Sequence, residues 1–268
     1  MLPVLMTMLV LGADPAKTTM LAEPNDVTSK SFVIDVRSAK QYESGHLPGA
    51  INFRTNAWSK AVTEGKADGN FWSVELAEIG LSPGRTVIVS GDDMREVCRA
   101  WWLLRYAGVE DVRVYNGPVS SFKDSGGTLA TSVLKNSPIK VTEWKHALAR
   151  QAHKDDVLAR ATGKEKETVI DGRSIEEFKD GHVPKAKHLE WSELIDAKTG
   201  KFKSVDEMKK LFASRGIDPS ESPLCYCQSG GRASVVAFAV ELVSGKPAKN
   251  YYRSWSEWGK DDSLPKEK

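Results

Sequence analysis

Apolar residues in this chain fall into short β-branched runs separated by stretches with helical spacing. FVIDV (32–36), TVIVS (86–90) and TVIDG (168–172) are runs of strand length dominated by Val and Ile. Continuous apolar runs of that kind predict strands covered on both faces, as in a parallel sheet flanked by helices. AWWLLRYAG (100–108) and VDEMKKLFASRG (205–216) carry apolar residues at helical spacing instead. Strand and helix alternate through both halves, so the expected class is α/β with mainly parallel sheets.

The pattern also repeats. Residues 33–50 read VIDVRSAKQYESGHLPGA, and residues 169–186 read VIDGRSIEEFKDGHVPKA. Asp35 pairs with Asp171, Arg37 with Arg173, Tyr42 with Phe178, Gly45-His46 with Gly181-His182 and Pro48 with Pro184. TVIVSGDDMREVCRAWWLL (86–104) parallels PLCYCQSGGRASVVAFAVEL (223–242), which sets Arg95 against Arg232 and Ser90 against Cys227. Val114-Tyr115 is set against Tyr251-Tyr252. Two tandem domains of one ancestry are expected. Residues 124–140, rich in Gly, Ser, Thr and Pro, have no periodicity and read as linker. The expected division is an N-terminal segment at 1–19, a first domain at 20–128, a linker at 129–140 and a second domain at 141–268.

Composition narrows the classes. A chain of 268 residues can bury two cores, and a net charge of +2 gives no preference for nucleic acid or a membrane surface. No run is long enough to span a bilayer. Three cysteines do not make a disulfide framework, and the scattered histidines have no metal-ligand spacing, so no metal site is expected. LPVLMTMLVLG (2–12) has signal-peptide length, with Ala13 where cleavage could follow. It lacks the basic residues that open such a peptide. The balance is toward a cytoplasmic chain, over a periplasmic or secreted one, with this segment packed on the first domain.

The candidate chemistry lies in SPLCYCQSGGRASVVAFAVELVSG (222–245): a short apolar strand, Cys227, a glycine-rich turn and an apolar helix. Gln228, Ser229, Gly230 and Gly231 make the turn, and Arg232 opens the helix. The glycines allow successive N–H groups to face the sulfur, and the helix N-terminus adds free donors and a positive dipole end. Such a loop suits an anionic sulfur and whatever that sulfur carries. Cys227 is therefore read as the nucleophile. Cys98, inside an apolar helix, is read as core. Cys225, two residues before Cys227 on the same strand face, is read as packing, with a resolving thiol as the alternative. Asp171, Arg173 and His182 recur in the half without the cysteine, so they are read as structural: a strand-end ion pair and a turn.

The duplicated Asp-x-Arg…(Tyr/Phe)…Gly-His-x-Pro-x-Ala block, the Cys227 loop and SWSEWG (254–259) resemble a rhodanese-like tandem sulfurtransferase from about residue 30 onward. The resemblance implies a silent first domain and a catalytic second domain. It implies that Cys227 takes a sulfane sulfur from thiosulfate or 3-mercaptopyruvate and passes it, as a persulfide, to cyanide or another thiophile, a protein thiol included. Ser229 then supplies a hydroxyl donor, and Arg232 and Arg253 favour an anionic donor, thiosulfate above 3-mercaptopyruvate. No bound cofactor is implied, because the cysteine carries the sulfur.

Three departures stand out. Glu177 occupies a position where long tandem members usually have arginine. The Gly-Gly-Arg ending resembles single-domain loops. Arg253 stands where glycine is common. Two rival readings remain. In the first, a cysteine phosphatase or arsenate reductase needs five residues between cysteine and arginine, whereas four intervene here (228–231). In the second, a binding or redox-sensing module would use Cys225 and Cys227 or the arginine and tryptophan residues.

Overall fold

The computed structural model describes residues 20–268. The expectations for residues 1–19 lie outside the described residues. In the first half the chain forms β1 (Leu21–Ala22), β2 (Phe32–Asp35), α1 (Ala39–Ser44), β3 (Ala50–Asn52), α2 (Asn56–Glu64) and α3 (Gly69–Glu78). It continues with β4 (Val87–Ser90), α4 (Met94–Tyr106), β5 (Val112–Tyr115) and α5 (Ser121–Asp124). The second half begins with α6 (Lys154–Ala161), β6 (Val169–Asp171), α7 (Ile175–Asp180), β7 (Lys187–His188) and α8 (Val205–Ser214). It ends with β8 (Leu224–Tyr226), α9 (Gly231–Ser244), β9 (Lys249–Asn250) and α10 (Ser254–Trp258).

Among the described residues the first half holds a five-stranded sheet in the order β1-β5-β4-β2-β3, and the second a four-stranded sheet in the order β7-β6-β8-β9. Every pairing within them is parallel. The buried run β2, apolar apart from Asp35, lies inside its sheet, flanked by β4 and β3, as its Val and Ile content requires. Both domains are α/β, in agreement with the pattern of the sequence.

Strand register corrects the internal alignment. Asp35 pairs with Ser90 in the first sheet, whereas Asp171 pairs with Tyr226 in the second. Ser90 therefore corresponds to Tyr226, and Gly91 stands where Cys227 stands. The loop from strand to helix is one residue longer in the second domain (227–230 against 91–93), which restores the match of Arg95 with Arg232. An ungapped comparison cannot show an insertion that the helix then absorbs. In the same way, pairing of Ile88 with Arg113 and of Leu224 with Lys249 sets Tyr115 against Tyr251, not Tyr252.

The two domains share one core. Helix α9 is buried from Ala233 through Val243, as expected of a helix apolar on all sides. Helix α4 covers the face that its own sheet leaves open: Trp101 meets Phe238 edge-on at 5.0 Å, and Trp102 stacks on Tyr252 at 4.9 Å. Glu241 is a charge within that buried stretch. Arg150 answers it with two bonds of 2.6 and 2.9 Å, and Arg105 of α4 approaches at 3.3 Å. Residues 125–147 form no helix and no multi-residue strand. They run along the first domain, with N–H groups of Ile139, Trp144 and Ala147 bonded to Ala77, Ser73 and Tyr106.

Replacing Glu241 by Ala leaves Arg150 and Arg105 without their carboxylate inside the interface, which should destabilise the protein by roughly 3 kcal/mol. Urea unfolding of Glu241→Ala beside the parent chain measures this. A midpoint unchanged within error contradicts it.

Candidate active site

Strand β8 ends at Tyr226, Cys227 follows, and α9 begins four residues later at Gly231. Gly230, which caps α9, has φ +84°, and a Cβ there would sit 2.7 Å from the Tyr252 ring. Only glycine satisfies both conditions.

The carbonyl groups of this loop are each held from outside. Trp255 N–H donates to the Cys227 carbonyl at 3.0 Å and Ser256 N–H to the Gln228 carbonyl at 3.1 Å. Arg99 donates to the Ser229 carbonyl at 3.1 Å, and Asn250 to the Gly230 carbonyl at 3.2 Å. A trans peptide sends its N–H opposite to its carbonyl, so the N–H groups of residues 228–231 point back into the loop. None of the four finds an acceptor among the described residues. With the start of α9 they form a cradle of free donors beside the cysteine, suited to an anion.

Two residues of this site escaped the sequence reading. Ser254 has φ +55°, a strained conformation for a serine. Its Oγ accepts the Cys227 N–H at 3.1 Å, donates to the Tyr251 carbonyl at 2.7 Å and lies 3.9 Å from Cys227 Sγ. Arg99 comes from α4 of the other domain. Besides Ser229 it reaches the Tyr252 hydroxyl at 3.2 Å, and that hydroxyl bonds Ser59 at 2.7 Å. No local signal set Arg99 apart, since α4 also carries Arg95, Glu96 and Arg105.

The expected residues are placed as follows. Cys227 is 1% exposed at the base of the cradle, with Gln228 and Ser229 exposed on its rim. Arg232 does not stand free: it makes a two-pronged ion pair with Glu177 at 2.5 and 2.8 Å. Those bonds, with the Ser174 N–H, hold the Glu177 carboxyl down to about 2 against the opposing effect of burial. Arg253 pairs with Glu257 at 3.0 Å and lines a separate cavity with Gln151 and His153. Asp171 and Arg173 form a buried pair at 2.6 Å, with Tyr226 donating to the same carboxylate at 2.5 Å. Arg173 also lies over the Trp255 ring at 4.4 Å. His182 stacks on Phe178 at 3.7 Å and bonds its carbonyl at 2.9 Å. The first domain repeats this frame with Asp35, Arg37, Tyr42 and His46. Cys98 and Cys225 are fully buried, and burial pushes both thiols up, so neither is an available thiolate.

The first domain leaves no room for a side chain at the position that matches Cys227. A Cβ on Gly91 would lie 2.9 Å from methyls of both Val36 and Val97. At the matching positions the second domain has Gly172 and Ser234. Removal of two valine side chains opens the space that the Cys227 side chain fills. The acidic residues of the first loop are also committed: Asp92 accepts the Val119 N–H at 3.0 Å, and Asp93 caps α4 through the Arg95 N–H at 2.9 Å.

Comparison with known proteins agrees with the duplicated frame. The family model for the rhodanese-like domain matches residues 18–125 and again 154–261. The sulfur carrier protein TtuD of Thermus thermophilus is 28% identical over 246 residues, covering 84% of this chain and 86% of that protein. A putative thiosulfate sulfurtransferase of Haloferax volcanii is 28% identical, covering 92% and 91%. The 3-mercaptopyruvate sulfurtransferase of Escherichia coli is 28% identical, covering 87% of each. Among solved structures, an anaerobic ergothioneine biosynthesis enzyme from Chlorobium limicola superposes with a TM-score of 0.82 at 21% identity. It covers 93% of this chain and 70% of that one, and the likeness is one of fold.

Two measurements probe the geometry. Gly172→Val should return methyl groups to the space beside Cys227, slow alkylation of that thiol by iodoacetamide and destabilise the protein by about 1–3 kcal/mol through overpacking. Unhindered alkylation refutes the steric account. The Glu177 carboxyl, held at about 2 instead of 4.5, contributes stability that is complete above about pH 4.5 and is lost as pH falls toward 2. The difference in unfolding midpoint between the parent chain and Glu177→Gln should therefore shrink across that window. A constant difference contradicts it.

Proposed function

The chain belongs to the rhodanese-like family, with two copies of the domain in tandem, and on that premise we propose a sulfurtransferase in which Cys227 carries a sulfane sulfur. The cradle of four free N–H groups at Cys227 is the observation that carries this reading. We take 141–268 as the catalytic domain, 129–140 as the linker and 20–128 as the silent partner.

In the proposed reaction the Cys227 thiolate attacks the outer sulfur of the donor. With thiosulfate the S–S bond breaks and sulfite leaves with its electron pair. With 3-mercaptopyruvate the C–S bond breaks, and the departing pyruvate carbanion takes a proton. The persulfide keeps its negative charge on the outer sulfur, where the loop N–H groups stabilise it. A thiophile such as cyanide then attacks that sulfur, and the cysteine thiolate leaves. No external electron source is needed. Relatives named for thiosulfate, for 3-mercaptopyruvate and as a sulfur carrier support small anionic donors and either a small or a protein thiol acceptor. The preference for thiosulfate rested on open arginines, and Arg232 and Arg253 are each paired with a carboxylate. Either donor therefore stands. The same pairing weighs against a phosphatase, whose loop arginine must be free to hold an oxyanion.

Intact mass after incubation with each donor tests the proposal. Gain of one sulfur atom, reversed by cyanide and absent from Cys227→Ser, is the expected result. No gain with either donor refutes it.

A further inference from the structure

We infer that Glu177 sets the charge selectivity of the Cys227 site, disfavouring doubly charged donors by holding Arg232 in a two-pronged ion pair at the entrance; as a statement about donors, this rests on the sulfurtransferase reading. The pair is short, 2.5 and 2.8 Å, and partly exposed, with 19% of the Arg232 side chain and 36% of the Glu177 side chain accessible. Glu177 cannot swing aside freely. It lies in the first turn of α7, where it accepts the Ser174 N–H at 3.1 Å while Ser174 caps its own N–H.

The other cations around the loop are matched in the same way. Arg95 meets Asp93 at 2.6 Å, and Arg99 faces Glu96 at 3.4 Å while its Nη1 donates to Ser229 and Tyr252. An anion reaching Cys227 therefore meets an Arg232 whose charge Glu177 already counters, and Arg95 and Arg99 also face carboxylates. The attraction withheld by pairing Arg232 scales with donor charge, so the penalty falls most on dianionic thiosulfate, less on monoanionic 3-mercaptopyruvate and not on a neutral reagent. The donor class this site favours is a sulfur donor carrying at most one negative charge.

Alkylation of Cys227 by iodoacetate and by iodoacetamide, located by peptide mass, reads the charge at the sulfur without any sulfur transfer. Glu177→Gln keeps an acceptor for Ser174 and releases Arg232. It should raise the iodoacetate-to-iodoacetamide rate ratio about tenfold, equivalent to roughly 1.4 kcal/mol. It should raise kcat/KM for thiosulfate more than for 3-mercaptopyruvate. Glu177→Gln/Arg232→Ala should lose both gains, and thermal unfolding of each variant checks that it is folded. An unchanged ratio in folded Glu177→Gln overturns the inference, as does a gain that survives removal of Arg232. A ratio that rises while no donor loads sulfur supports the gate and overturns the sulfurtransferase reading.

Discussion

A helix buried on every side is stable only if something covers the face that its own sheet leaves open. Helix α9 is such a helix, and α4 of the other domain covers it through Trp101 and Trp102. The Cys227 loop runs into the N-terminal end of α9, so whatever fixes the helix fixes the cysteine. The contact also delivers Arg99 to the Ser229 carbonyl and seats Tyr252 against Gly230. The first domain thus contributes contacts that hold the Cys227 loop.

The loop is shaped by acceptors more than by donors. Its four carbonyls are tied to α10, to Asn250 and to Arg99, and planarity of the peptide then turns four N–H groups inward. The anchors come from distant parts of the chain. Ser254 joins them by accepting the Cys227 N–H, at the expense of a left-handed backbone. Electrostatics follows a different rule at the entrance, where each arginine near the loop meets a carboxylate. The backbone dipoles of the cradle favour negative charge, while Arg95, Arg99 and Arg232 each face a carboxylate.

Duplication left one frame with two outcomes. Asp35–Arg37 and Asp171–Arg173 hold the same strand ends, and His46 and His182 stack on the same aromatic positions. The frame recurs in the domain that has glycine where the other has Cys227. The difference lies in small volumes: Val36 and Val97 close the first site, and Gly172 and Ser234 open the second.

The sequence by itself determined the α/β class, the tandem repeat and the Cys227 turn, because each is written in local periodicity or in glycine chemistry. The recurrence of Asp171, Arg173 and His182 in the first half was readable from the duplicated block. The Glu177–Arg232 pair was not, since residues 55 apart in sequence meet only when α7 and α9 lie beside one sheet. Nor was Arg99, which looks like any cation on a helix until α4 is laid on α9. The one-residue insertion that sets Gly91, not Ser90, against Cys227 appears only in strand register. Tertiary structure decided these points because charge pairing, carbonyl orientation and free volume depend on what approaches from elsewhere in the chain.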